Sequence, residues 1–118
     1  MKTLNVGIMP REEFQKRTIA IASGKYKPKK DEPKIWFSSM KSLGEILSES
    51  NVKLLKIIDS EHPESIKQLS EISGRKSSNL SRTLKTLEQY SIIELVRHNK
   101  TIMPVVKAMN FNIKYSAA

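Results

Sequence analysis

Residues 65–90, SIKQLSEISGRKSSNLSRTLKTLEQY, constrain the fold more than any other stretch of the chain. They read as two helices joined by a tight turn. In the first, Ile66, Leu69 and Ile72 recur at steps of three and form one apolar stripe at helical spacing. Ser65 is placed to cap this helix, and Gln68 three residues on completes a capping-box pattern. Gly74 stands where a helix stops, because glycine enters the left-handed region without a Cβ clash. In the second helix Leu80, Leu84 and Leu87 line one side at i, i+4 and i+7. The remaining positions include Ser77, Ser78, Asn79, Ser81, Arg82, Lys85 and Thr86: short donors and acceptors with two long cations. Contact with phosphates and base edges calls for such a mixture at the front of a helix.

Two strand-like runs extend the pattern. Residues 92–97 (IIELVR) and 101–106 (TIMPVV) are joined by the polar turn His98-Asn99-Lys100. Two helices and then a hairpin with a basic tip is the order of a winged helix-turn-helix. The expected fold class is therefore α+β, mainly α with a small β component. The winged helix-turn-helix would occupy residues 38–118, with a strand–helix extension and basic linker over residues 1–37.

Charge runs the same way. The chain has 118 residues and a net charge of +9. Residues 60–74 hold Lys67 against Glu61, Glu64 and Glu71, a net of −2. Residues 75–118 hold eight Lys or Arg against Glu88 and Glu94, a net of +6. Positive charge thus gathers from the second helix onward, where a nucleic-acid interface needs it; the alternative is a solvated basic surface.

The N-terminal third lies outside this pattern. Leu4, Val6 and Ile8 alternate with polar residues, as in a half-buried strand. Pro10 suits the first position of a helix, with Glu12 and Glu13 in its first turn and Gly24 at its end. Phe14, Ile21 and Thr18 would mark its apolar side. Residues 25–34 (KYKPKKDEPK) read as a linker: either a basic arm that touches phosphates or a solvated tether. Ile35-Trp36-Phe37 is either a short strand that packs this extension or an exposed anchor for a partner. Met40, Leu43, Ile46 and Leu47 predict one further helix. Val52, Leu54, Leu55, Ile57 and Ile58 predict another, ended by Glu61-His62-Pro63. Phe111, Ile113 and Tyr115 alternate with polar residues in a last strand, which could pair within the chain or with a partner chain.

The segment GRKSSNLSRTLKTLEQY, residues 74–90, resembles the recognition region of the MarR/ArsR-like winged-helix regulators. More closely, DEPKIWFSS (31–39), Leu47-Ser48 and SNLSRTLKTLE (78–88), with TIAIASGKYKP (18–28), resemble a family of small prokaryotic DNA-binding regulators. Several members are encoded beside a toxin as its antitoxin. The resemblance implies a homodimer that binds double-stranded DNA, represses its own operon and neutralises a cognate toxin. By matching positions, Ser77, Ser78, Asn79, Ser81, Arg82 and Lys85 would face DNA, with Arg75 and Lys76 in the turn before them. Arg97 and Lys100 would contact DNA from the wing. Leu4, Val6, Ile8, Phe14, Ile21, Trp36 and Phe37 would form the dimer or partner surface. One departure stands out: relatives usually carry glycine after the recognition helix, where this chain has Tyr90-Ser91. The wing tip also lacks glycine, although Asn99 can take the left-handed conformation in its place. A short wing of this kind argues against deep minor-groove reach.

Catalysis is not expected, and neither is a cofactor or a metal site. The chain has no cysteine, and His62 and His98 are its two histidines. HExxH, P-loop and GxGxxG motifs are absent from the sequence. No run approaches the ~18 apolar residues of a membrane span, and MKTLNVGIM lacks the features of a signal peptide. A cytoplasmic protein is the expectation. The competing functional reading is a protein-binding antitoxin or adaptor that keeps the winged fold, because fold does not dictate function. RNA binding is weaker, since the polar helix face carries no aromatic side chain to stack unpaired bases.

Overall fold

A computed structural model describes residues 2–117. Among the described residues it contains five helices and five strands, an α+β fold. The chain divides into two compact units: Met1–Leu4 with Ile46–Asn110, and Asn5–Glu45 with Phe111–Ala118. By compactness the division falls at 45/46, and the chain from Phe111 onward groups with Asn5–Glu45. Strand pairing between distant segments overrides sequence order here.

In the first unit, three helices lead into a hairpin: α3 (Glu49–Glu61), α4 (Ile66–Ser73), α5 (Ser77–Gln89), β3 (Ile93–His98) and β4 (Thr101–Val106). Local chemistry sets each boundary. Ser48 caps α3, its hydroxyl oxygen accepting from the Asn51 N–H at 3.2 Å. The helix ends at His62, which takes a left-handed φ of 48°, and Pro63 comes next. Ser65 caps α4 by accepting from the Gln68 N–H at 3.0 Å. Gln68 Oε1 reaches back to the Glu64 N–H at 2.6 Å, one residue before the cap. Gly74 ends α4 at φ 74°. Leu69, Leu80, Leu84 and Leu87 are 0% exposed, and Leu54, Leu55, Ile58, Ile92, Ile93 and Ala108 complete the core of this unit.

The hairpin pairs antiparallel from Ile93↔Val106 to His98↔Thr101, leaving a two-residue tip. Asn99 supplies the left-handed residue at φ 57°. The first strand starts one residue later than the sequence suggests and takes in His98. Ile92 is drawn off into a turn, donating to the Leu87 carbonyl and accepting from Lys107 and Ala108. Pro104 lacks an N–H, which suits β4 as an edge strand.

Ser91 adopts φ 61° without being glycine. Left-handed backbone costs an L-residue about 1–2 kcal/mol, while glycine adds about 0.4–1 kcal/mol of unfolded-state entropy. Ser91→Gly is therefore expected to stabilise the fold by about 0.5–1 kcal/mol, raising Tm by roughly 2–4 °C. A thermal melt that shows no rise would contradict the strain assigned to this turn.

In the second unit, the part of β1 (Lys2–Ile8) from Asn5 onward pairs in parallel with β2 (Ile35–Phe37), matching Val6↔Ile35, Gly7↔Trp36 and Ile8↔Phe37. The crossover carries α1 (Arg11–Ala22), as parallel pairing requires a long connection. The strand order is β2-β1-β5, so β5 (Ala108–Lys114) finds its partner within the chain. Asn112 Nδ2 donates to Asn5 Oδ1 at 3.1 Å. Gly7 is required by close approach: a Cβ there would overlap the Trp36 ring. A short helix, α2 (Met40–Ile46), buries Leu43 but leaves Met40 exposed.

Two expectations for this unit are corrected. Pro10 is the residue before α1 rather than its first member, because its ψ of 147° is extended. Helix α1 buries none of its residues, so the Phe14, Thr18 and Ile21 side is no core face. Residues 25–34 lack regular structure but are tied down. Arg17 pairs with Glu32 at 3.0 Å, the Tyr26 hydroxyl donates to Glu32, and the Arg17 guanidinium lies 5.1 Å from the Trp36 ring centroid. The Tyr26 hydrogen bond, then that of Arg17, holds the Glu32 carboxyl below its usual range. The same bond to Glu32, and after it desolvation, raises the Tyr26 phenol.

Candidate nucleic-acid interface

The geometry of α5 is set by its three leucines. With Leu80, Leu84 and Leu87 buried on one side, a 3.6-residue period turns Ser78, Arg82 and Lys85 to the opposite side. All three are exposed. Gln89 continues this stripe at i+11 from Ser78 and is exposed as well. Gln89 is missing from the sequence-derived set, although the same spacing reaches it. Asn79 flanks the front of the stripe and Ser77 opens the helix on the leucine side; both are exposed, whereas Ser81 is half-buried beside the core.

Neither neighbouring carboxylate neutralises the stripe. Glu88 Oε2 accepts from the Leu95 N–H at 2.9 Å, fastening β3 to the end of α5. Glu94 pairs with Lys107 at 3.3 Å. Arg82 makes no salt bridge with either of them. Among the described residues, Lys76, Arg82, Lys85, Arg97 and Lys100 form no ion pair. Exposed cations left unpaired are free to meet an external anion.

The start of α5 differs from those of α3 and α4. Its cap position is Lys76, which supplies no side-chain acceptor. The first N–H groups of the helix therefore lack a side-chain cap at the positive end of the helix dipole. Arg75, expected among the anion contacts, is engaged elsewhere. Its guanidinium donates to the Ser50 carbonyl at 2.6 Å and to the Ser50 hydroxyl, with Asn51 Oδ1 at 3.5 Å. The Ser70 hydroxyl donates to the Arg75 carbonyl at 2.5 Å, and the Arg75 N–H donates to Ser73 Oγ at 3.2 Å. The turn between α4 and α5 is thus pinned to the start of α3. No local signal betrays this contact, which spans 25 residues of sequence.

Arg97 and Lys100 sit on the exposed end of the hairpin. Thr101 Oγ1 lies 3.1 Å from the Glu64 carbonyl and 2.9 Å from that of His98, tying the hairpin end to the start of α4. An open groove of about 670 Å³ runs between these elements, lined by residues of both charges including Glu64, Lys67, Glu71 and Lys100.

Three of the seven residues of the expected partner surface are interior. Val6, Ile8 and Phe37 are 1%, 8% and 1% exposed. They are buried within the chain itself and so offer little surface to a partner. Leu4, Ile21 and Trp36 are half-buried, and Phe14 is 39% exposed. The accessible apolar residues of this unit also include Ile19, Ile113 and Tyr115, which the sequence did not assign to that surface.

No helix among the described residues is long and apolar enough to cross a membrane. Among the same residues, no group of three or more His, Asp or Glu is placed to hold a metal ion. The family model HVO_A0114 matches residues 46–113, more than half of the chain. No curated protein and no solved structure gives a significant match.

Proposed function

This chain belongs to the HVO_A0114 family, and we propose that the segment matched by that family is the reading head of a sequence-specific, double-stranded DNA-binding transcription regulator. In this reading α3, α4 and α5 with the β3–β4 hairpin form a winged helix-turn-helix, α5 is the recognition helix and the hairpin is the wing. The observation that carries the proposal is the exposed stripe of Ser78, Arg82 and Lys85, set directly opposite three fully buried leucines and left without an ion pair among the described residues.

Each side chain then has a chemical role. The planar fork of Arg82 matches O6 and N7 of guanine, and Asn79 matches N6 and N7 of adenine. Ser78, Ser81 and Lys85 set the helix on the phosphates. Ser77 and Lys76 stand at the uncapped start of α5, where backbone N–H groups attract a phosphate oxygen. Arg97 and Lys100 hold the backbone from the wing. Arg75 acts as a positioning residue through Ser50 and Asn51. One recognition helix covers few base pairs, so a homodimer on two half-sites about one DNA turn apart completes the account. Autorepression, and the antitoxin role implied by the resemblance, belong to the same proposal.

Selection from a pool of random duplexes tests it. The proposal expects a consensus of two related half-sites whose centres lie roughly 10 base pairs apart. Recovery of unrelated sequences would defeat it. A protein-binding antitoxin or adaptor is the second reading, favoured by Phe14, Ile19, Ile113 and Tyr115, all exposed in the unit of Asn5–Glu45 and Phe111–Ala118.

A further inference from the structure

Helix α3 and strand β4 enclose a cleft of about 390 Å³ within the unit of Ile46–Asn110. Ile58, Pro63, Met103, Pro104, Val105 and Val106 give it an apolar lining. Its volume falls in the range of small-molecule sites, and methionine adapts readily to an irregular guest. Asp59 and His62, at i+1 and i+4 from Ile58, supply its polar groups.

The charge of this cleft is unusual for the chain. Asp59 provides the only carboxylate in the lining, and no Lys or Arg lines it. Asp59 is half-buried, yet among the described residues it makes no ion pair, not even with His62 three residues on, and its side chain has no hydrogen bond. The adjoining segment is acidic in a protein of net positive charge, with Glu61, Glu64 and Glu71 against Lys67. A carboxylate held half out of water beside an apolar wall gains from a cation that brings its own apolar body.

We infer that this cleft is a binding site for a small amphipathic cation: an aromatic or branched aliphatic amine whose ammonium group pairs with Asp59 while its apolar body covers Met103, Val105 and Val106. An organic anion is disfavoured because it would place its charge against Asp59 with no Lys or Arg in the lining to offset it. The inference stands apart from the DNA-binding proposal, because occupancy is read on the protein alone.

The test uses the full chain and three probes that share one ring: benzylamine, benzyl alcohol and benzoate. Binding is monitored by NMR, through the Met103 methyl group and the amide signals of Ile58, Asp59 and Val106. Benzylamine is expected to shift these signals and to bind about fivefold more tightly than benzyl alcohol, with benzoate weakest. Asp59→Asn keeps the side-chain shape and should bring benzylamine down to the level of the alcohol while leaving the alcohol unchanged. If Asp59→Asn fails to fold, the order of the three probes on the native chain still decides. Benzoate binding as well as benzylamine would overturn the inference, as would shifts confined to other residues or an amine affinity untouched by Asp59→Asn. Movement of the same signals on dilution without ligand would show a second copy of the chain covering the cleft, and would equally overturn it.

Discussion

Leu84→Ala is expected to lower the unfolding free energy by about 2–5 kcal/mol. Leu84 is 0% exposed and lies between Leu80 and Leu87 on the inner side of α5. Truncation removes the transfer free energy of its lost methyl and methylene groups and leaves a void that its neighbours fill only in part. Small domains are stable by only about 5–15 kcal/mol, so this one change takes a large share. Urea denaturation monitored by circular dichroism checks it, with a lower midpoint and an unchanged slope. A loss under about 1 kcal/mol would place Leu84 near the surface. That would rotate the whole helix, and Arg82 with it, away from the orientation in which the polar stripe faces solvent. The stability of a core leucine is therefore also a test of which way that stripe faces.

Arg82→Ala is expected to do the converse. The side chain is exposed and forms no ion pair among the described residues, so its removal should leave the melting curve nearly unchanged. If Arg82 reads a base, affinity for the preferred DNA site should fall by about 1–3 kcal/mol, roughly 5- to 150-fold, with a smaller fall on random duplex. Anisotropy titrations of both duplexes with both proteins measure the difference. An equal fall on the two duplexes would assign Arg82 to phosphate and leave base reading to Asn79. No fall on either would remove Arg82 from the interface. Together the two substitutions separate folding from recognition on faces of one helix: the proposal expects Leu84→Ala to change stability and Arg82→Ala to change affinity.

The parts of this architecture that are legible in the sequence are those decided by neighbours in the chain. Ser65, Gln68 and Gly74 act within a few residues of themselves, and so the bounds of α4 can be read directly. The leucine spacing of α5 reports its buried side because helical geometry is fixed. Asn99 takes the left-handed conformation expected of it at the hairpin tip. The same helical regularity reaches Gln89 once the stripe is extended to the end of α5.

Contacts between distant segments leave no such trace. The reach of Arg75 to Ser50 and Asn51 depends on how α3 and α4 pack, and nothing in residues 74–76 announces it. Alternation in Leu4, Val6 and Ile8 shows that one face of a strand is covered but not what covers it. Part of the expected partner surface is therefore the chain's own interior. The pairing of β5 beside β1 joins the two ends of the sequence, which the alternation of Phe111, Ile113 and Tyr115 does not foretell. Residues 25–34 read as a free linker because the contacts that hold them run through the single side chains of Arg17, Tyr26 and Glu32.

The most direct measurement of the central claim is fluorescence anisotropy of the full chain on the duplex immediately upstream of its own coding sequence. A scrambled duplex of equal composition serves as the comparison, at two salt concentrations. The account predicts clear preference for the upstream duplex and steep weakening of both complexes as salt rises, because Lys76, Arg82, Lys85, Arg97 and Lys100 displace counterions from phosphates. Equal affinity for the two duplexes, or no binding to either, would contradict it, and would shift the search for function to the exposed apolar residues Phe14, Ile19, Ile113 and Tyr115.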